Sequence, residues 1–361
     1  MTHKNILAFG VESIGRFALN CDNSIIELSK EYGNLNDYTN YELFCGDIER
    51  VIGNIIKNDI ILVCDMHPDY LTTSLAEKYL RIIENSKLEI IQHHYAHFAS
   101  VMYENNLSEK CIGVIFDGTG YGSDGLSWGG EIFCGNEFEF ERIFHFDYIE
   151  QPGSDAVIKE PWRMGLAYLE KAGIAFNEFE ERIGIEKINV IKKMLADKIN
   201  CPLTSSAGRL FDAISSITGI CDFSIETAEA AIALEKSACS NIENLYSYSL
   251  KNASIIFTNI ICEIFNDLKN KIDKSVISAK FHNTIANIIF ESAILISEQY
   301  GIKNVIISGG CFQNKYLSNR IDKLFAGSDM RLIRNINLPC GDGNIAAGQA
   351  YLIQRRLENN N

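Results

Sequence analysis

The sequence predicts an α/β protein made of two similar lobes that face a cleft. Three observations carry that expectation. Short runs rich in Ile and Val end abruptly in polar or glycine-rich turns, as buried strands do. Segments with apolar residues spaced by three and four separate these runs, and such alternation of strand and helix marks the α/β class. Two segments also read as weak copies of one unit: strand, glycine turn, returning strand.

In chain order, Ile6 to Phe9 reads as a strand that meets the turn Gly10-Val11-Glu12-Ser13, and the chain returns by Leu19. Ile60 to Val63 meets Asp65-Met66-His67-Pro68-Asp69, and Thr72 to Asn85 has helical spacing. Leu88 to Ile91 meets Gln92-His93-His94, and Tyr95 to Asn105 continues as a helix. Ile112 to Phe116 meets the glycine turn 117–122, and Leu126 to Phe133 is its returning strand. Helical spacing recurs over Trp162 to Ala172, Ala207 to Thr218, Phe281 to Tyr300 and Ile345 to Leu357. Val305 to Ile307 is a further strand and meets Ser308-Gly309-Gly310. Phe223 to Lys274 shows no strand-like run, so an all-helical insertion over the second lobe is expected there. The polar stretch Asn105 to Lys110 separates lobe I (residues 1–107, with a helix over 344–358 packing back on it) from lobe II (108–343, with the insertion at about 223–274).

Composition narrows the function. The chain has 361 residues, 47% hydrophobic and 22% charged, which is a packed globular mixture. Its 47 acidic against 33 basic residues give a net charge of −14. That balance repels a polyphosphate backbone, so general nucleic-acid binding is not expected. The 11 cysteines are scattered; the closest pair is Cys221 and Cys239, and no C-x-x-C occurs. A zinc ribbon, a thioredoxin-like motif and a disulfide scaffold are thereby disfavoured, and buried thiols in a reducing compartment fit better. The N-terminus has too short an apolar run for a signal peptide, and no run approaches the ~18 residues of a membrane span. A soluble, cytoplasmic protein is expected.

Three of the seven histidines fall in Gln92-His93-His94-Tyr95-Ala96-His97. His93 and His97 are four apart, which puts their side chains on one helical face with Cβ atoms ~5–6 Å apart. Two imidazoles so spaced suit one metal ion, or else a pair of core or surface histidines. Asp117 and Asp342, each beside glycine, would complete a mixed N/O set suited to Fe(II), Zn(II) or Mn(II); each could equally be a turn-former or helix cap. The turn 117–122 and Ser308-Gly309-Gly310 are candidate phosphate cradles, although neither is a Walker loop or a G-x-G-x-x-G fingerprint opening a helix. Lys159 and Arg163 flank the proline-started helix at Pro161 and could neutralise a phosphate or an acyl oxygen. Asp212, in Ser205-Ser206-Ala207-Gly208-Arg209-Leu210-Phe211-Asp212, could meet a ribose. No Gly-x-Ser-x-Gly elbow is present and no Cys stands beside a His, so serine and cysteine hydrolase chemistry has no support.

Taken in order, these motifs resemble the carboxy-terminal catalytic region of the HypF family of hydrogenase-maturation carbamoyltransferases. The resemblance runs through Cys64-Asp65-Met66-His67-Pro68-Asp69-Tyr70-Leu71-Thr72-Thr73, the histidine cluster, the turn 117–122, Trp128-Gly129-Gly130-Glu131 and Lys159-Glu160-Pro161-Trp162-Arg163. It continues through Thr204 to Ala213, Phe281-His282-Asn283-Thr284, Ser308 to Asn314 and Gly341-Asp342-Gly343. It implies the actin/Hsp70/sugar-kinase (ASKHA) fold of two ribonuclease-H-like lobes, shared with the tRNA threonylcarbamoyltransferase TsaD and antibiotic O-carbamoyltransferases.

The resemblance implies a divalent metal, Fe or Zn, on His93, His97, Asp117 and Asp342. It implies that Gly118, Thr119, Gly120, Tyr121, Gly309 and Gly310 hold the phosphate end of carbamoyl-adenylate or ATP/AMP. Asp212 would meet the ribose and Asn314 the adenine. Lys159, Arg163 and His67 are the catalytic candidates. The implied reaction moves a carbamoyl group to the C-terminal cysteine of a HypE-like acceptor, whose thiocarbamate later becomes a cyanide ligand of [NiFe]-hydrogenase. Full-length members carry acylphosphatase, zinc-finger-like and YrdC-like domains ahead of this region. None is matched here, so transfer alone is expected, with a YrdC-like activating domain on another chain. Two departures stand out. Glu226-Thr227-Ala228-Glu229-Ala230-Ala231 replaces the family's Tyr-Glu-Gly-Gln-Ala-Ala, and Lys159 stands where Arg is usual. Transfer to oxygen or nitrogen of a small metabolite, and a non-catalytic nucleotide-binding module, are the alternative readings.

Overall fold

Two sheets with the same strand order organise the chain. The computed structural model describes residues 4–21, 25–55 and 59–359; residues 1–3, where the leader expectation begins, lie outside the described residues. The first sheet contains β1 (Lys4–Ala8), β2 (Ala18–Asn20), β3 (Glu27–Leu28), β4 (Asp59–Asp65) and β5 (Ser86–Ile91), in the order β3-β2-β1-β4-β5. The second has at its centre β6 (Cys111–Tyr121), β7 (Ser127–Gly135) and β8 (Phe140–Phe146), with β9 (Ile149–Glu150) and β10 (Leu203–Thr204) paired at one end of β7. A hairpin of β11 (Ser249–Lys251) and β12 (Ser254–Ile256) extends it beyond β8, and β13 (Asn304–Ser308) and β14 (Arg331–Ile333) extend it beyond β6. Its central order, β8-β7-β6-β13-β14, repeats that of the first sheet.

The pairing directions repeat too. The first three strands of each unit are antiparallel, and the last two run parallel to the first. This is the ribonuclease-H-like lobe, present twice, and it defines the ASKHA arrangement expected above.

Thirteen helices accompany the strands among the described residues. They are α1 (Tyr38–Ile55), α2 (Leu71–Ile82), α3 (His93–Glu104), α4 (Ala156–Lys159), α5 (Trp162–Lys171), α6 (Asn177–Ile183) and α7 (Ile185–Asp197), followed by α8 (Ala207–Ile217), α9 (Glu229–Ser237), α10 (Thr258–Lys269), α11 (Lys274–Tyr300), α12 (Lys315–Phe325) and α13 (Ile345–Asn359). Burial on both faces explains why β1 and β4 read as unbroken apolar runs. Ile6 and Ala8 face a core shared with α3 and α13, while Leu7 packs outward with Phe44 of α1 and Leu75 of α2. That shared core joins Ile61 of the first sheet to Ile306 of the second through Phe98, Met102 and Leu352. So α3 and α13 form the layer between the sheets. They pack so closely that a Cβ at Gly348 would clash with the Ala96 carbonyl, which only glycine avoids.

Two expectations need correction. The stretch from Phe223 to Lys274 is not all helical: α9 and α10 flank the β11–β12 hairpin, and β12 runs parallel to β8. Each strand has three residues, and Ile255 alone among them is fully buried, so no alternation is long enough to register. Asn252 and Ala253, both at positive φ, make the two-residue turn. The glycine run after Asp117 is likewise no open loop. It is the end of β6, with a break in register between Phe116 and Gly120, and the hairpin turn comes later at Gly122–Leu126. No helix among the described residues is long and apolar enough to cross a membrane.

Candidate metal and nucleotide site

The histidine cluster opens α3 directly after β5. Gln92 caps this helix, its side-chain oxygen accepting from Tyr95 N at 3.0 Å. The cap sends His93 and His97 into one buried point between the sheets. There they meet Asp117 from β6 and Asp342 from the turn before α13, and one ligand atom from each residue lies within 4.8 Å of all the others. His93 Nε2 is 3.2 Å from Asp117 Oδ2 and 3.7 Å from Asp342 Oδ1; His97 Nε2 is 3.6 and 3.7 Å from the same atoms.

Both imidazoles are anchored from behind. His93 Nδ1 is 2.9 Å from Asp65 Oδ2 at the end of β4, and His97 Nδ1 is 2.9 Å from Asn344 Oδ1. Each ring therefore turns Nε2 toward the aspartates. His97 Nε2 is buried and has no hydrogen-bond partner. An orphaned imidazole nitrogen facing two carboxylates, with acceptors behind each ring, fits a divalent metal of borderline softness. The electrostatics agree. Burial disfavours the His93 cation, yet hydrogen bonds to Asp117 and Asp65 outweigh it and raise the pKa well above the ordinary value. Burial raises Asp117 as well, but the hydrogen bond from His93 and the neighbouring imidazoles prevail and hold it well below the usual carboxylate range. Asp342 is raised by burial and by the neighbouring Asp117 charge.

Asp117 and Asp342 also line a cavity of about 520 Å³ that extends from the quartet across the second lobe. Ser13 of the first glycine turn closes it from lobe I and donates its hydroxyl to Asp342 Oδ2. Gly118, Asp212, Gly310 and Asn314 lie in its wall. Asp212 is 3% exposed and is raised by burial, against the pull of Arg209 and a backbone N–H from Ala231. Asn314 has its amide partly committed: Oδ1 caps α12 at Leu317 N and Nδ2 donates to His282 Nε2 at 2.9 Å.

Thr119, Gly120, Tyr121 and Gly309 are not among the residues that line the cavity. Thr119 is hydrogen-bonded to Ser127, and Gly120 packs on the His93 and His94 rings, where a Cβ would collide with both. The Tyr121 carbonyl accepts from Gln92, and its ring meets His67 edge-on. The Gly309 N–H donates to Cys340 O, and the N–H of Gly310, which lies in the wall, donates to Asp117 Oδ1.

The three catalytic candidates do not line the cavity. Lys159 is exposed at the end of α4. Arg163 is tied 2.5 Å from Glu160 and lies over the Trp162 ring. His67 stacks on Tyr70 at 4.2 Å, and its Nδ1 accepts from Asp69 N, which leaves Nε2–H as a donor in the neutral ring. A cation beside a helix start carries no information in the sequence about which way it faces, and neither Lys159 nor Arg163 faces this cavity.

The cation that does line the cavity is Arg209. Arg209, on the first turn of α8, is the single Lys or Arg in the wall among the described residues, beside Asp117, Asp212, Glu235 and Asp342. Its Nη1 lies 2.9 Å from Asp212 Oδ2 without a hydrogen-bonding angle. The signal was available as an i,i+3 Arg–Asp pair on a helix. Asp65 also had a signal, since a carboxylate ending the apolar run 60–64 must be buried and needs a partner.

The doubled fold and shared cleft define an ASKHA-type protein. A family model described as "HypF Kae1-like domain" matches residues 1–104, and "Carbamoyltransferase, Kae1-like Domain, second subdomain" matches 113–349. The chain belongs to the HypF carbamoyltransferase family. It is 35% identical to a probable carbamoyltransferase HypF of Methanocaldococcus jannaschii, across 98% of this chain and 47% of that protein. It is 30% identical to a carbamoyltransferase HypF homolog of Cupriavidus necator, across 90% of this chain and 85% of that one. A crystal structure of full-length HypF in the phosphate- and nucleotide-bound form superposes with a TM-score of 0.90 at 34% identity, covering 99% of this chain and 47% of that one. The chain thus spans about half the length of several relatives it matches.

Proposed function

We propose that this chain transfers a carbamoyl group from carbamoyl-adenylate to a thiol, the acceptor being the C-terminal cysteine of a HypE-type protein that matures [NiFe]-hydrogenase in the cytoplasm. The observation that carries the reading is the sharing of Asp117 and Asp342 between the quartet and the cavity, which puts a metal-type donor set against a nucleotide-sized space.

His93, His97, Asp117 and Asp342 would hold a divalent ion, Fe or Zn, which when bound supplies a Lewis acid for the phosphate or carbamoyl oxygen. The protein's own groups do the rest. Arg209 faces the phosphate of the leaving AMP, where its charge is held in a partly water-excluded wall. Asp212 and Asn314 bind the nucleoside end. The acceptor thiolate forms the new C–S bond as the carbamoyl C–O bond to AMP breaks, so this chain needs no nucleophile of its own. The activated carbamoyl group comes from a YrdC-like domain, and this chain carries out transfer only. Residues 1–107 with 344–358 act as one lobe and 108–343 as the other.

The test supplies preformed carbamoyl-adenylate and a HypE-type acceptor to the metal-loaded chain. Intact mass should show one carbamoyl group on the acceptor's terminal cysteine, with stoichiometric AMP. A thiol left unmodified, or robust AMP and pyrophosphate from ATP and carbamoyl phosphate with this chain alone, would contradict it.

A further inference from the structure

Helix α3 carries His97 near its start and Glu104 at its end, about 10 Å apart at 1.5 Å per residue. The Glu104 carboxylate accepts four sets of hydrogen bonds from the loop that follows β14. Oε2 accepts from Asn335 Nδ2 at 3.1 Å and Ile336 N at 2.9 Å, and Oε1 accepts from Asn337 N at 2.5 Å and Leu338 N at 3.2 Å. These bonds favour the ionised form and lower its pKa despite burial. The same loop continues to Asp342 and Asn344.

A carboxylate that only accepts has a directional consequence. Asn335 must turn Nδ2 to Glu104, so its Oδ1 faces the other way. There it accepts from Asn344 Nδ2 at 3.1 Å, which also donates to Ser308 Oγ at 3.2 Å. Asn344 must then present Oδ1 to His97 Nδ1, 2.9 Å away. An oxygen at that position requires the proton on Nδ1. His97 Nε2 is left with its lone pair aimed at Asp117 and Asp342.

We infer that Glu104 is a positioning residue: through the amides of Asn335 and Asn344 it fixes the tautomer of His97, so that Nε2 is the nitrogen offered to the quartet. Glutamine at 104 cannot replace it. Both carboxylate oxygens face donors, so a glutamine amide nitrogen must oppose either Asn335 or the 337–338 backbone. When it opposes Asn335 the whole chain of amides reverses.

The inference deepens the metal reading of the quartet, but its primary readout needs no metal. His97 ring-nitrogen shifts are measured by 15N NMR in chelator-treated protein above neutral pH, followed by Zn²⁺ titration. The wild type should show a proton-bearing Nδ1 and a bare Nε2. Glu104→Gln should show both tautomers and bind Zn²⁺ about ten-fold or more weakly. Asn335→Leu keeps the backbone bonds of Glu104 while cutting the amide chain; it should behave as the glutamine variant does, and it decides the matter if that variant does not fold. A proton on Nε2 in the wild type, or a single Nδ1–H tautomer in Asn335→Leu, would overturn the inference. Weak Zn²⁺ binding by a wild type with the expected shifts would count against the metal reading and leave the relay standing.

Discussion

The two sides of the cleft are built differently. The quartet side is anchored from behind: each histidine has an acceptor at Nδ1, each aspartate has a donor, and the backing residues Asp65 and Asn344 are themselves fully buried. The cavity side has slack. Arg209 Nη1 sits beside Asp212 without a hydrogen bond, Asp212 is pushed toward protonation, and Ala228 in the wall adopts a left-handed φ of 63°. A site that must hold an ion through every cycle gains from fixed tautomers and angles. One that must take up and release a nucleotide gains from groups whose best partners arrive with it.

The harshest way to break the comparison is to remove the quartet's nitrogens. His93→Ala with His97→Ala should abolish both Zn²⁺ binding by calorimetry and carbamoyl transfer, while AMP still enters the cavity. Retained transfer would refute the site. On the other side, Arg209→Ala removes a charged hydrogen-bond donor worth about 1.5–3 kcal/mol, so AMP should bind about ten- to a hundred-fold more weakly with Zn²⁺ affinity little changed. Arg209→Lys should recover part of the loss, because it restores the charge but not the fork.

Asp65→Asn sharpens the quartet side. It should weaken Zn²⁺ binding by about ten- to a hundred-fold. It should also change the proton count. His93 is held well above its ordinary pKa by Asp117 and Asp65, so the metal-free protein carries that proton at neutral pH and the ion must displace it. Zn²⁺ affinity of the wild type should therefore fall as pH falls, with proton release detectable by calorimetry in buffers of different ionisation heat. Asp65→Asn lowers the His93 pKa and should reduce that release. The smallest effect belongs to the strained wall. Ala228→Gly relieves a left-handed conformation that costs a non-glycine residue about 1 kcal/mol, and the denaturant midpoint should rise accordingly.

Legibility in the sequence followed the range of the interactions. β1, β4 and β6 were readable because burial on both faces leaves an unbroken apolar run, and α3 because His93 and His97 share a local spacing. Joining them to Asp117 and Asp342 was beyond spacing, since an Asp beside Gly is as good a turn-former as a ligand. The resemblance supplied that link, and the geometry brings the four together. The β11–β12 hairpin was unreadable because three-residue strands carry too little alternation. Arg209 is not distinguishable from Lys159 and Arg163 in the sequence, which reports a charge but not its facing. The amides of Asn335 and Asn344 had no local signal at all, since their roles depend on a carboxylate some 230 residues earlier.

If the quartet and the cavity are one site through Asp117 and Asp342, the ion and the nucleotide must feel each other. Calorimetric titration of AMP with and without saturating Zn²⁺, and of Zn²⁺ with and without saturating AMP, reads that coupling. The two affinities should change by one common factor of about 5- to 150-fold. Affinities unchanged in both directions would mean that metal and nucleotide bind as strangers, and that the shared aspartates do not join them.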